Sequence, residues 1–408
     1  MNTAINSLSE SAPIIAGAEQ LAASLLQAAR DMVPTLRERA SECEALGKLP
    51  EATVEDFQRA GFFRICQPAR WGGFELDPQV FFDVQMTLAE GCMSSAWVLG
   101  VVAIHNWQLA LFDDRAAAEV WSDDDSVLIS SSYMPVGKVT RVEGGFQLSG
   151  RWGFSSGSKH CQWAFLGAVC PPLDSSDPPD MRTFLVPLAD YTIEENWDVM
   201  GLQGTGSHDI IVNDAFVPEY RTHKALDGLN CSSPGNQVNE AALFQIPFGQ
   251  IFVRAVSSSS IGALQGAIDC YRQVMGVRVG INDGKRAAED PVAQQALADA
   301  AIVVDQQKLV LHRNFDRMME AVRSNQPLTM DERVKMRYDS AAVSDACVSA
   351  MDNLLGCCGA SGMFLSHPLN RYFRDLHSGR GHVANTPGKY GRNHGAVMLG
   401  LENGDFFL

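Results

Sequence analysis

His377 and His382 stand five residues apart, after an Arg371-Tyr-Phe-Arg-Asp375 cluster and in a stretch relieved by Gly379 and Gly381. Imidazole titrates closest to neutral pH of all the side chains. Two of them beside fixed charges, on what the glycines mark as a loop, point to proton transfer rather than packing. A spacing of five does not bring both to one helix face. The chain has no HExxH, no CxxC and no Cys/His spacing suited to zinc, so no metal is expected. Two hydroxyl clusters come earlier, Ser130-Ser131-Ser132 and Gly153-Phe154-Ser155-Ser156-Gly157-Ser158. Flanking glycines let a backbone approach a planar ligand. A serine there can bond a ring nitrogen while Trp152 or Phe154 packs on the ring. Read alone, the 153–158 cluster is more readily an ordinary Ser/Gly turn than a ligand site, and Ser130–Ser132 equally binds a polar ligand or satisfies a strand end. His105, inside an apolar run, reads alone as a core histidine. Gly201-Leu-Gln-Gly-Thr-Gly206 lacks the GxGxxG register, and no GxxxxGK[ST] or GxSxG occurs. Nicotinamide-binding, P-loop and α/β-hydrolase chemistry are thereby set aside.

The elements that must position these residues follow from periodicity. Ala18–Cys43 carries Leu21, Leu25, Ala28, Met32 and Leu36 at helical spacing. Pro50 opens a second helix, Trp71-Gly-Gly breaks the pattern, Pro78 starts a third through Leu88, and Gly91–Leu111 is a nearly continuous apolar helix. From Ser126 the period shortens to that of strands, with Gly, Pro and Asp punctuation and a hairpin turn at Glu143-Gly144. A small antiparallel β-domain is expected, with a surface loop at Asp174–Asp180. Asp227–Glu240 reads as a mobile connection. Helical periodicity returns over Ala255–Met275, Pro291–Val322 and Met330–Leu355. The expected domains are a helical one at 1–125, a β-barrel-like one at 126–225 and a helical bundle at 226–408.

The bulk numbers set the setting. The chain has 408 residues, 46% hydrophobic and 20% charged, with net charge −16. That suits two or three packed domains and an acidic surface that repels nucleic acid. Its ten cysteines are scattered, which fits a reducing cytoplasm. Cys357-Cys358 reads as small-residue packing. The N-terminus has no basic region before an apolar core, and Ala96–Ile104 is about half the length of a membrane span. Neither a leader nor a membrane segment is expected.

Taken in order, these stretches resemble the acyl-CoA dehydrogenase superfamily. The likeness rests on Gly201-Leu-Gln-Gly-Thr-Gly-Ser207 with Asp214-Ala-Phe-Val-Pro218, on Leu355-Gly-Cys-Cys-Gly-Ala-Ser-Gly362 leading to Arg371–Asp375, and on the helical–β–helical order. Within it, the chain is similar to the oxygenase component of two-component flavin-dependent phenol monooxygenases. The matching residues are Gln67-Pro-x-x-Trp-Gly-Gly73, His105–Phe112, Ser130–Ser132, Ser155-Ser-Gly157 with His160, and Phe373-Arg-Asp-x-His377 with His382. The Asp375–Asn385 segment favours the branch acting on the phenolic A-ring of opened steroids.

The resemblance implies a mainly α fold with a central β-domain and a C-terminal four-helix bundle. It implies reduced FMN or FAD from a separate NAD(P)H-dependent reductase, O2, a C4a-hydroperoxyflavin, a small aromatic substrate and a homotetramer. By the same likeness Ser156, with Ser155 beside it, holds flavin N5–H. Ser131, Ser132 and Phe154 join the flavin site, Arg278 meets its phosphate, His105 and Ser131 hold the phenolic oxygen, and His382 is the base. Arg374 and Asp375 would fix the histidine loop.

The chain departs from the pattern at Phe154, where Trp is usual, at Ser158-Lys159, where Cys-Asp is common, and in its ending Gly404–Leu408. Substrates beside a seco-steroid are 4-hydroxyphenylacetate, resorcinol or indole types, with sulfur compounds and nitrosugars also open. An acyl-CoA dehydrogenase proper would want a Glu base, and His377-Ser-Gly-Arg-Gly-His382 offers none. A flavin-free binding scaffold would not need hydroxyls and histidines at every one of these points.

Overall fold

The computed structural model describes residues 4–172, 180–280 and 284–408, with side chains from Gly17 onward. The expected Asp174–Asp180 loop lies outside the described residues up to Pro179. Among the described residues, five α-helices come first: α1 (Ala4–Leu46), α2 (Glu51–Ala60), α3 (Pro78–Ala89), α4 (Met93–Leu109) and α5 (Asp114–Trp121). Gly61, at φ 77°, stops α2 in the left-handed conformation that glycine adopts freely. Every residue of α4 is buried, so its apolar character runs around the whole helix. It is the floor on which the rest is laid.

Strands follow, seven among the described residues: β1 (Ile129–Val142), β2 (Gly145–Ser155), β3 (Trp163–Cys170), β4 (Asp180–Pro187), β5 (Tyr191–Glu194), β6 (His208–Pro218) and β7 (Thr222–Lys224). They form one sheet in the order β5-β6-β2-β1-β3-β4-β7. Val142 pairs with Gly145 across the two-residue turn, where Gly144 has φ 77°. The expected all-antiparallel domain is corrected at one place, since β1 and β3 run parallel from Ile129↔Trp163. After β2 the chain passes through the Ser156–His160 turn and crosses to the other side of β1, which forces the parallel pair. Trp152, Leu148, Leu166, Phe184 and Ile210 form a core of the sheet's own.

The chain returns to helices with α6 (Ala225–Asn230), α7 (Phe248–Ala255), α8 (Ser258–Val277), α9 (Pro291–Arg323), α10 (Met330–Cys357), α11 (Pro368–Arg380) and α12 (Pro387–Met398). α8 packs on α3, α9, α10 and α11. Thr329 and Glu332 close a reciprocal capping box at the start of α10. Phe248–Val277 is long and apolar enough to span a bilayer, contrary to the expectation that no run reaches that length, but 94% of its most apolar window is buried in the fold. The segment expected to be a mobile connection is folded, with Asn239 Nδ2 donating to Ala110 O at 2.7 Å and Gly235 N to Leu111 O at 3.1 Å.

The largest correction concerns His377. It is not on a loop, because α11 continues through Gly379 to Arg380. A Cβ at Gly379 would lie 2.9 Å from Met93 Cε and 3.3 Å from the Trp97 ring. That glycine lets α11 press against α4 rather than ending the helix.

Candidate active site where the sheet meets the buried helix

Trp97, on α4, is the centre of the site. Its indole N–H donates to Ser156 Oγ at 3.2 Å, and its ring meets His382 edge-on at 5.8 Å. Ser156 lies on the turn after β2. That turn reaches α4 because Gly157, at φ 72°, has no side chain; a Cβ there would sit 2.8 Å from Val98 Cγ1. Behind Ser156, its Oγ is 2.7 Å from Ser207 Oγ, which is 2.7 Å from Thr205 Oγ1. Thr205 Oγ1 donates to Leu202 O at 2.8 Å. Leu202 sits at φ 54°, and its N–H donates to Asp375 Oδ1 at 2.6 Å. Burial raises the Asp375 carboxyl to about 7 despite that bond.

The two expected site histidines have opposite proton placement. His105, two turns beyond Trp97 on α4, is fully buried, and its Nδ1 lies 2.6 Å from Ile129 O. A carbonyl oxygen only accepts, so Nδ1 carries the proton and Nε2 is a bare lone pair. Nε2 is buried and has no partner in the fold. Ser131 and Tyr133 alternate onto the β1 face that packs on His105, whose ring is 6.1 Å from that of Tyr133. His382 caps the turn after α11, and its Nδ1 accepts from Ala384 N at 3.1 Å. The proton of neutral His382 is therefore on Nε2. Burial pushes both histidines down to about 4, with the Arg337 charge adding at His382.

The remaining expected residues divide. Phe154 presents an exposed ring beside Trp197, with centroids 5.4 Å apart. Ser155 is buried with an unpartnered Oγ. Ser132 is occupied, donating to Gly153 O at 2.6 Å, so it shapes the Phe154 turn rather than offering a free hydroxyl. Arg278, half-buried at the end of α8, donates to Cys357 O at 3.3 Å, which ties it to the end of α10 rather than to the Ser156 turn. His377 is drawn off by Asp352, at 2.9 Å, on α10.

Arg374 and Asp375 do not fix the histidine turn. Arg374 bonds Glu44 and Met200 O, both at 2.8 Å, so the pair anchors the Leu202 turn. The His382 turn is held by Asn385, which donates to Val256 O and Gly379 O at 2.9 Å, and by buried Arg337, which donates to Ala384 O at 3.0 Å. Sequence reasoning missed Trp97, Thr205, Ser207, Arg337 and Asn385 as site residues. Three of the five lie in stretches that carry the family likeness, Thr205 and Ser207 in Gly-Thr-Gly-Ser207 and Asn385 in Asp375–Asn385.

Residues 255–387 match the family model of the acyl-CoA dehydrogenase C-terminal domain. The chain is 36% identical over 371 residues to the flavin-dependent monooxygenase oxygenase subunit HsaA of Rhodococcus jostii (strain RHA1), covering 91% of this chain and 97% of that protein. It is 30% identical to the oxygenase component of an FADH(2)-dependent resorcinol hydroxylase of Rhizobium sp. (strain MTP-10005), over 90% of this chain and 91% of that one. The crystal structure of the HsaA monooxygenase from M. tuberculosis superposes with a TM-score of 0.89 at 35% identity, covering 95% of this chain and all of that one. The chain belongs to the flavin-dependent monooxygenases built on the acyl-CoA dehydrogenase fold. These relatives are named as oxygenase subunits or components, which implies that a separate reductase serves them. Reduced flavin fits what the site offers: an exposed aromatic face at Phe154, the unpartnered hydroxyl of buried Ser155, and Ser156 at the rim.

Proposed function

We propose that this oxygenase hydroxylates a phenol ortho to its hydroxyl, with a phenolic seco-steroid as the leading substrate. Reduced FMN or FAD and O2 supply the electrophilic oxygen; the chain's own residues do the rest. Phe154 packs on the flavin ring, Ser155 and Ser156 line its N5 edge, and Ser131 and Ser132 shape the wall behind it. A phenol attacks best as its anion, and its pKa of about 10 means that the proton must be taken from it. The observation that carries this reading is the buried, unpartnered Nε2 lone pair of His105, on the Ser131 face of the site. There it accepts the phenolic hydrogen. His382, expected from the sequence as the base, works instead from the opposite tautomer, because its Nδ1 accepts from Ala384 N and its Nε2–H is left to donate to the oxygen anion as charge develops.

Arg278 meets the flavin phosphate, and a homotetramer completes that end. Phe364 and Leu365, 67% and 76% exposed near the close of α10, present the apolar surface that a second copy would cover. Light scattering tests the assembly.

The function is tested by mixing the protein with reduced FMN, adding oxygenated buffer in a stopped-flow instrument and watching for a transient well blue of oxidised flavin. The reading expects a long-lived transient whose decay one phenol accelerates as hydroxylated product forms. Direct reoxidation without a transient, or no phenol that turns it over, would count against it.

A further inference from the structure

Thr205, Ser207 and Ser156 stand in single file, and the fold dictates which way their protons point. Thr205 Oγ1 is 2.8 Å from Leu202 O, 2.7 Å separates it from Ser207 Oγ, and 2.7 Å separates Ser207 Oγ from Ser156 Oγ. The Leu202 oxygen can only accept, so the single Thr205 proton goes there. Ser207 must then give its proton to Thr205, and Ser156 must give its own to Ser207. The Ser156 oxygen already accepts the Trp97 N–H at 3.2 Å. It is left with one lone pair and no proton to offer. Thr205 and Ser207 are 1% and 3% exposed, so water does not compete for the file. Its far end is tied down by Asp375 on Leu202 N at 2.6 Å and by Gly157 N on Thr205 O at 2.8 Å.

We propose that Thr205 and Ser207 are positioning residues that hold the Ser156 hydroxyl as a hydrogen-bond acceptor, matched to the N5–H of reduced flavin and mismatched to the bare N5 of oxidised flavin. This rests on the reading that places Ser156 at N5. It means that the site selects the reduced cofactor and releases the oxidised one. It also slows the futile reaction, in which reduced flavin gives two electrons and two protons, one of them from N5, to O2, which leaves as H2O2.

The test is an anaerobic titration of the full-length protein with reduced and with oxidised FMN, beside the lifetime of the transient that absorbs well blue of oxidised flavin. In Ser207→Ala the Ser156 proton is free to turn toward N5. The ratio of oxidised to reduced Kd then narrows by about tenfold, chiefly through tighter oxidised binding. The transient shortens and H2O2 release rises. Thr205→Val does the same, whereas Thr205→Ser rebuilds the file and keeps the wild-type ratio. If Ser156→Ala changes ratio and lifetime while Ser207→Ala and Thr205→Val change neither, the inference is overturned and the placement at N5 stands. If Ser156→Ala also changes neither, the placement itself is wrong and the inference falls with it.

Discussion

His105 and His382 are the same side chain in two settings, and the difference between them organises the site. His105 sits in the core between α4 and β1, where the nearest backbone group is a carbonyl, Ile129 O at 2.6 Å. His382 sits at a helix-capping turn, where the nearest backbone group is an N–H, Ala384 N at 3.1 Å. One setting forces the proton onto Nδ1 and leaves a lone pair. The other forces it onto Nε2 and leaves a donor. Two histidines that look interchangeable in a sequence thus become an acceptor and a donor because of which end of a peptide group each one meets.

The strongest way to break this comparison is His105→Asn. Loss of the free imidazole lone pair should slow single-turnover hydroxylation by about 10²- to 10⁴-fold, with the flavin transient still forming. A variant that hydroxylates at the wild-type rate would end the assignment.

Stability against pH comes next. His105 is charged in the unfolded chain below about 6.5 and in the fold only below about 4. The unfolded state binds more protons in that window, so the stability His105 contributes, roughly 3 kcal/mol, is present above 6.5 and lost as pH falls to 4. His382 acts in the same direction. Asp375 acts in the other, since its carboxyl is held up to about 7 and its contribution is lost as pH rises from about 4 to 7. Urea midpoints should therefore rise less steeply between pH 4 and 6.5 in His105→Asn than in the wild type, and more steeply between pH 4 and 7 in Asp375→Asn. Unchanged profiles would mean that neither group is held off its ordinary value.

The comparison is sharpened by paired changes at His382. His382→Ala removes the cap on Ala384 N and should cost about 1 kcal/mol of stability together with about tenfold in hydroxylation rate. His382→Asn keeps both an acceptor for the cap and an N–H to donate, and should recover most of both. If Asn recovers stability but not rate, His382 works as a base after all. The smallest effect belongs to His377→Ala. Its pair with Asp352 lies at the surface, so stability should change by less than about 1 kcal/mol and hydroxylation not at all.

Much of this was legible before folding. The helical periods of Ala18–Cys43, Pro291–Val322 and Met330–Leu355, and the shift to short alternation after Ser126, are local properties of neighbouring residues. They give the helical–β–helical order and the Glu143-Gly144 hairpin. What failed was not local. Gly379 looks like a helix breaker until Met93 and Trp97 are seen pressed against it, and so the sequence alone puts His377 on a loop. The parallel β1–β3 pair depends on where the chain crosses after the Ser156–His160 turn, which no period records.

The sequence by itself determined the kinds of group available: hydroxyls at 131, 155 and 156, imidazoles at 105 and 382, and an aromatic ring at 154. Side-chain type and near-neighbour spacing are written in the chain. Only the tertiary structure decided which of them are free. Ser132 is taken by Gly153, His377 by Asp352, and Arg374 and Asp375 by the Leu202 turn, whereas His105 Nε2 and Ser155 Oγ are left without partners. A hydrogen bond is settled by atoms brought together from distant parts of the chain, and the direction of its proton by whichever partner can only accept.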